Sequence, residues 1–309
     1  MLARFVIHQR IDMKRWQADG LLLAVAAIWG LAFVPQSWGM DSMQPMGFTG
    51  LRFALGALVV APLAWRERGR PAPPQPAGGP PRWLLLLGLG ALIFLGAALQ
   101  QVGMLTTTVT NASFLTALYV PLVPLLAWAL FRRRPHWIAW PAALGCVVGT
   151  WLLTGGQAVH MVVGDWWVIA SVLPWALHVV LVGWAAGRLG APYTVACVQF
   201  AICSALSLVA AAALESMSWE GVRAAAGAIA YTGLISVGIG YTAQVVAQRH
   251  THAADAALVL SSEAVFAAIF GALLAGDRLN ASGWAGCAVI LGCIVLAQLP
   301  LLAAAVLKR

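Results

Sequence analysis

Apolar stretches close to the ~20 residues a helix needs to cross a bilayer recur along the whole chain. They lie at 20–38, 46–65, 83–104, 109–131, 137–154, 165–186, 192–214, 222–247, 253–275 and 282–306. Inside hydrocarbon the backbone must satisfy its own hydrogen bonds, so these ten stretches predict ten transmembrane helices in an all-α polytopic membrane protein. Composition agrees: 61% of the 309 residues are hydrophobic and only 9% are charged, with a mean hydropathy of +0.86. A soluble domain carries about 25% charge. No gap between the stretches is wide enough for a soluble domain, and the first stretch lacks a convincing cleavage site, so it is expected to be retained.

The placement of Lys and Arg sets the orientation, because basic loops stay in the cytoplasm. With the N-terminus inside, the cytoplasmic side collects Arg4, Arg10, Lys14, Arg15, Arg66, Arg68, Arg70, Arg82, Arg132, Arg133, Arg134, Arg188, Arg249, Lys308 and Arg309, and the outer side keeps Arg223 and Arg278. This predicts a bacterial inner membrane protein with both termini cytoplasmic. The formal net charge of +8 then reflects topology and anionic lipid, and no nucleic-acid partner is needed. In the basic segment 1–19, Leu2, Phe5, Val6, Met13 and Trp16 share one side of a helical wheel and Arg4, His8, Lys14 and Arg15 another. That pattern fits an interfacial helix and a solvated tail alike. The stretch 69–82, GRPAPPQPAGGPPR, reads as an extended cytoplasmic linker, and cysteines 146, 197, 203, 287 and 293 read as small core residues.

The chain also repeats itself. GAALQQVGMLTTTVTNASFLTALY, from Gly96, aligns with GYTAQVVAQRHTHAADAALVLSSE, from Gly240, at a constant offset that pairs Gln100 with Gln244, Asn111 with Asp255 and Tyr119 with Glu263. Earlier in each half, Asp19 and Trp29 pair with Asp165 and Trp175, and Pro45 and Phe53 with Pro192 and Phe200. Residues 20–155 and 160–306 are thus expected to be two five-helix repeats. Five is odd, so the second enters the membrane from the opposite side. An inverted repeat is an architecture on which alternating access is built, with a substrate site near the midplane between the halves.

Several stretches resemble the EamA-type branch of the drug/metabolite transporter superfamily: AIWGLAFVPQSWG, GFTGLRFALGAL, ASFLTALYVPLVPLLAWALFRRRP, SVGIGYTAQVVAQRH and ALVLSSEAVFAAIFGALLAGDRL. The resemblance covers nearly the whole chain. It implies two inverted five-helix halves, a central cavity lined mainly by helices 1, 3, 4, 6, 8 and 9, and export of small metabolites, with amino-acid exporters among the relatives. The chain departs from the family at LPWALHVVLV, which places His178 where relatives commonly carry Tyr or Ala.

Within this frame the polar residues in the spans become candidates. Glu263 lies mid-span, where an acidic side chain costs about 2.5–3.5 kcal/mol on insertion scales. Such a group either binds an ammonium group or exchanges protons in a cavity, or bonds a neighbouring helix. Gln100 and Gln244 both donate and accept, and they either line the cavity or join helices. Trp29, Trp175 and His178 could stack a planar or cationic cargo, or simply pack. Phe33, Asn111, Tyr119 and Tyr241 complete the expected cavity, with Glu263 and His178 as proton-coupling candidates. Asp255 lies near a helix start, where capping competes with a cavity role and Asn111 would cap likewise. Arg52 either neutralises a carboxylate cargo or snorkels and pins helices. Pro121 and Pro124 should kink helix 4 near Tyr119. Gly145, Gly149, Gly286 and Gly292 read as close-packing positions. Seven tryptophans at span ends, Trp83 and Trp137 among them, read as interfacial anchors.

No catalytic, metal-binding or cofactor motif is present, and with no nucleotide-binding loop no ATPase subunit is implied. The expectation is a secondary or facilitative transporter, a monomer or homodimer, exporting small polar metabolites, amino acids foremost. The alternatives are an amphiphilic cation exporter and a membrane-embedded lipid-modifying enzyme.

Overall fold

The computed structural model describes residues 13–69, 80–132, 134–153, 155, 161–275 and 280–306. Every regular element among them is helical: α1 (Arg15–Met40), α2 (Pro45–Glu67), α3 (Arg82–Gly103), α4 in two segments (Val109–Thr116 and Tyr119–Phe131), α5 (Ala139–Leu153), α6 (Val163–Leu189) and α7 (Pro192–Leu214). After these, α8 runs through Trp219–Ala224, Ala226–Ala230, a π-helical stretch Tyr231–Tyr241 and Thr242–Ala247; α9 comprises Ala253–Leu260, Glu263–Phe270 and Gly271–Ala275; and α10 is Ala281–Val306.

Eight of these runs, α1 to α4 and α6 to α9, are long and apolar enough to cross a bilayer. Of the other two helices, α5 has 15 residues, about 22 Å at 1.5 Å per residue, and α10 runs over Ala281–Val306. Residues 1–12, 70–79, 133 and 276–279 lie outside the described residues. With them lie most of the expected interfacial helix, the body of the proline-rich linker, and Arg278.

The most extensive contacts join α2 to α7, α3 to α6 and α5 to α10. Small residues let these helices approach, since lipid supplies little drive for helix association and packing must do so. A Cβ on Gly149 would lie 2.9 Å from the Gly286 carbonyl of α10. Gly145 abuts Cys293 in the same way, whereas Gly292 faces open space and mediates no contact.

The α2–α7 pair is joined at both ends by carboxylates. Pro45 and Pro192 open the two helices at a position where a missing N–H costs nothing. Glu67, at the end of α2, accepts from Thr194 N at 2.8 Å and Thr194 Oγ1 at 2.9 Å at the start of α7. Glu215, just past the end of α7, accepts from Met46 N at 2.7 Å and Gly47 N at 2.8 Å at the start of α2. Each helix therefore has its exposed amides and positive dipole end covered by an acid from the other, a cap worth about 0.5–2 kcal/mol.

The surface is strongly apolar, as lipid contact requires. Trp83, Trp137, Trp166, Trp219 and Trp284 are well exposed at or beside helix ends, and Trp16, Trp38 and Trp65 behave likewise. Inside, the core holds buried polar side chains, including Arg52, Gln100, His178, Gln199 and Gln244.

Candidate functional site

A central cavity is lined by residues of α1, α2, α3, α4, α6, α8 and α9. Trp29, Phe33, Gln100, Tyr119, Trp175, His178, Tyr241, Gln244 and Glu263 all face it. Of the residues picked from the sequence, Asn111 is not among those lining it. It sits in the first turn of α4, where Thr108 is the capping residue and accepts from Asn111 N at 3.1 Å. The side chain of Asn111 is thus neither cap nor wall. Asp255 is also not a cap: His252 precedes α9, and the Asp255 carboxylate in the first turn pairs with Arg15 Nη2 of α1 at 2.5 Å.

Both α4 and α9 are interrupted at the cavity. In α4 the interruption falls at Ala117 and Leu118, and in α9 at Ser261 and Ser262, so that Tyr119 and Glu263 each begin the resumed helix. The expected kink near Tyr119 is this break. Interrupted helices supply free backbone groups and sharply aimed side chains at membrane depth, which the bilayer tolerates only around a protein-lined cavity. A smaller hollow between the breaks shares Thr116, Tyr119 and Glu263 with the main cavity.

Tyr241 is the hub of the aromatic lining. Its ring lies 4.5 Å from Trp29, stacks on Trp175 at 6.1 Å with 21° between planes, and meets Phe53, Phe200 and His178 at 5.9, 6.1 and 6.4 Å. The two tryptophans sit on glycines. A Cβ on Gly96 of α3 would lie 2.8 Å from the Trp175 ring, and one on Gly240 of α8 would lie 2.9 Å from Trp29 Nε1. That Nε1 donates to the Ser236 carbonyl at 3.2 Å. Ser236 lies within the π-helical stretch, whose wider turns are frequent at functional sites.

The polar groups are only partly satisfied by the protein. Gln100 Nε2 donates to Thr116 Oγ1 at 3.0 Å, while Gln244 Oε1 is buried with no protein partner. His178 Nε2 lies 3.1 Å from Gln199 Oε1; in the tautomer that donates there, Nδ1 is left as an acceptor without a protein partner. The half-buried Glu263 side chain makes no hydrogen bond or ion pair among the described residues, and Tyr119 and Tyr241 lie within electrostatic reach of it. A buried polar group left unpaired costs free energy, so these atoms are positioned to meet an occupant or water.

Six lining residues lie outside the cavity candidates chosen from the sequence: Ala32, Gln36, Thr116, Val179, Ser236 and Arg52, the last of which the sequence leaves open between a cargo partner and a snorkelling role. Arg52 does not snorkel. It is 5% exposed and donates through Nη1 to Gln36 Oε1. The signal was present in FVPQSWG and GLRFALG, where two polar side chains interrupt apolar runs.

Two further contacts, away from the cavity lining, resemble each other. The Thr107 hydroxyl, beyond α3, donates to Asp165 of α6, whose other oxygen accepts from Val162 N at 2.8 Å. The Thr251 hydroxyl, beyond α8, donates to Asp19 of α1 at 3.4 Å. Arg15 adds a cation beside this second contact, 3.8 Å from Asp19 as well as paired with Asp255. Among the described residues no group of three His, Cys, Asp or Glu side chains is placed to hold a metal ion.

Comparison with known proteins follows the same lines. An "Uncharacterized transporter" of Archaeoglobus fulgidus is 27% identical over 289 residues, covering 93% of this chain and 87% of the relative. The "Uncharacterized transporter YwfM" of Bacillus subtilis is 23% identical over 286 residues, covering 90% and 93%. A solved structure described only as "Crystal structure of protein" superposes with a TM-score of 0.76 at 18% identity, over 93% of this chain and 98% of the other, which speaks to fold alone. The sequence profile of the EamA-like transporter family matches twice, over residues 16–155 and 162–298. With both halves matched, the chain belongs to the EamA-like transporter family of the drug/metabolite transporter superfamily and is a multi-pass membrane transporter.

Proposed function

We propose that this protein exports small polar metabolites, amino acids or related compounds foremost, by exposing its central cavity alternately to the two sides of a bacterial inner membrane. In this reading the chain crosses ten times with both termini cytoplasmic, and residues 20–155 and 160–306 form an inverted pair of five-helix repeats. The observation that carries it is the pairing of contacts across the molecule. Gly96 with Trp175 answers Gly240 with Trp29; the break before Tyr119 answers the break before Glu263; Thr107 with Asp165 answers Thr251 with Asp19. Pairs of this kind support a pseudo-twofold axis in the membrane plane. We take the last pair to give each end of the cavity its own latch, so one can open while the other holds.

Glu263 and His178 are the groups proposed to carry protons, since both face the cavity, His178 with an Nδ1 and Glu263 with a carboxyl that make no hydrogen bond among the described residues. Amphiphilic cation export is the second reading, favoured by the carboxyl beside the Trp29, Trp175 and Tyr241 rings. The buried cation Arg52 in the same cavity weighs against it.

The test is flux into liposomes containing the purified chain, with labelled amino acids and an amphiphilic cation, with and without a pH gradient. Movement of an amino acid supports the first reading, movement of the cation alone supports the second, and movement of neither overturns both. The topology is tested separately with Leu105→Cys and Arg249→Cys in a background lacking the native cysteines. An impermeant maleimide should reach them from opposite faces.

A further inference from the structure

Arg52 is a buried cation without a counter-ion among the described residues. Its guanidinium lies between two rings, 5.5 Å from the Phe48 centroid and 5.3 Å from that of Phe53, and donates through Nη1 to Gln36 Oε1. Gln36 is itself fixed, because its Nε2 donates to the Ala32 carbonyl at 3.1 Å and so turns the amide oxygen toward Arg52. A guanidinium has five N–H donors in a planar fork that matches a pair of carboxylate oxygens, and one amide oxygen uses a single donor. Arg52 Nε is buried with no protein partner. Among the described residues the ion pairs involve Arg15 alone, so no carboxylate neutralises Arg52.

Removing an ion from water without a partner is costly, and buried charges are accordingly paired in nearly all structures. Since Arg52 and Gln36 line the cavity, the missing oxygens belong to its occupant. Glu263 lines the same cavity, also without an ion pair. The backbone carbonyl of Glu263 abuts Gly30 of α1, the helix that also carries Gln36, so an acid and a guanidinium face one cavity. An α-amino acid carries the complementary pair of charges, a carboxylate and an ammonium group, on one carbon.

We propose that Arg52, presented by Gln36, is the subsite for a carboxylate of the cargo and Glu263 the subsite for its ammonium group, so that the cavity takes α-amino acids as zwitterions. The aromatic lining around Tyr241 would receive an apolar or aromatic side chain. The proposal rests on the transport reading above and adds the charge pattern of the cargo.

The experiment is counterflow in proteoliposomes containing the full chain, with a panel of common amino acids, the carboxamide of each, and the matching acid lacking the amino group. For phenylalanine these are phenylalaninamide and 3-phenylpropionate. At least one amino acid is expected to be carried, with its carboxamide at least about tenfold poorer. Arg52→Gln should abolish that discrimination by lowering the amino acid and leaving the amide unchanged, and Arg52→Lys should restore part of it. Should Arg52→Gln fail to fold, the comparison of acid with amide on the unaltered protein decides alone. Amides carried as well as acids would overturn the subsite while leaving transport intact. Carriage of no panel member would overturn the subsite, and if an amphiphilic cation also failed to move, the transport reading would fall with it.

Discussion

In α4 the chain breaks at Ala117 and Leu118, shortly before Pro121 and Pro124; in α9 it breaks at Ser261 and Ser262, with no proline in the helix. The backbone closes both breaks in the same way. Leu118 N reaches Leu115 O at 3.2 Å and Val120 N reaches Ala117 O at 3.0 Å, and the corresponding bonds in α9, Ser262 to Val259 and Ala264 to Ser261, are both 3.2 Å. Proline assists one turn by withholding an amide from the ladder. Serine assists the other: Ser261 and Ser262 turn their hydroxyls back to the Leu258 and Val259 carbonyls at 2.6 and 2.7 Å. The turn therefore belongs to the fold. What differs is the side chain it aims into the cavity, a phenol in one half and a carboxyl in the other, so at this turn the second half alone presents an acid.

The strongest way to break this comparison is to remove the charge and keep the shape. Glu263→Gln is expected to lower transport by at least about tenfold and to flatten its pH dependence, a change of about 1.4 kcal/mol or more in the barrier. Tyr119→Phe at the matching position is expected to stay within about twofold, the loss of at most one neutral hydrogen bond. Flux over a range of pH is the measurement, and equal losses would dissolve the distinction. Next in size are Gly96→Val and Gly240→Val, which drive a side chain into Trp175 and Trp29. Each should cost about 1–3 kcal/mol by overpacking, read as a fall in thermal midpoint. Gly240→Val should cost less, because Trp29 is only half-buried whereas Trp175 is buried.

The two proposed latches can be separated as well. Arg15→Ala removes a partly buried cation worth about 1 kcal/mol, so a cysteine placed at Ser236 should label about fivefold faster from the Arg15 side. Thr107→Val should have the corresponding effect from the opposite side only. A smaller change is expected from Ser261→Ala with Ser262→Ala, about 0.5–1 kcal/mol in stability with the break retained. Pro121→Ala, in the first turn of a helical segment where proline is tolerated, should be close to neutral.

Eight of the spans and nine residues that line the cavity could be picked out in the sequence because a lipid setting leaves a coarse mark: a polar side chain in an apolar run stands out. Glu263, Gln100 and Gln244 are examples. Arg52 stood out equally but had two meanings, and only the position of Gln36, whose amide is held by Ala32, shows that it stays inside. Asn111 was misplaced because alignment with Asp255 fixes a register and not a direction: three residues past Thr108, its backbone amide is taken up by that cap and its side chain stays off the cavity wall. The Thr107 and Thr251 contacts lay within the aligned stretches, yet two threonines carry no signal until each is brought to an aspartate from a distant helix. The short α5 shows the converse, since the apolar run from Trp137 gives up its first two residues to a turn.

The carboxylates that join α2 and α7 have a consequence for biogenesis. Met46 and Gly47 are synthesised well before Glu215, and at roughly 5–20 residues per second the amides at the start of α2 wait on the order of ten seconds or longer for their acceptor. The leading half thus emerges from the ribosome unfinished at one end, and the trailing half cannot seat its own Thr194 without Glu67. Each half therefore depends on the other for the acid that caps one of its own helices.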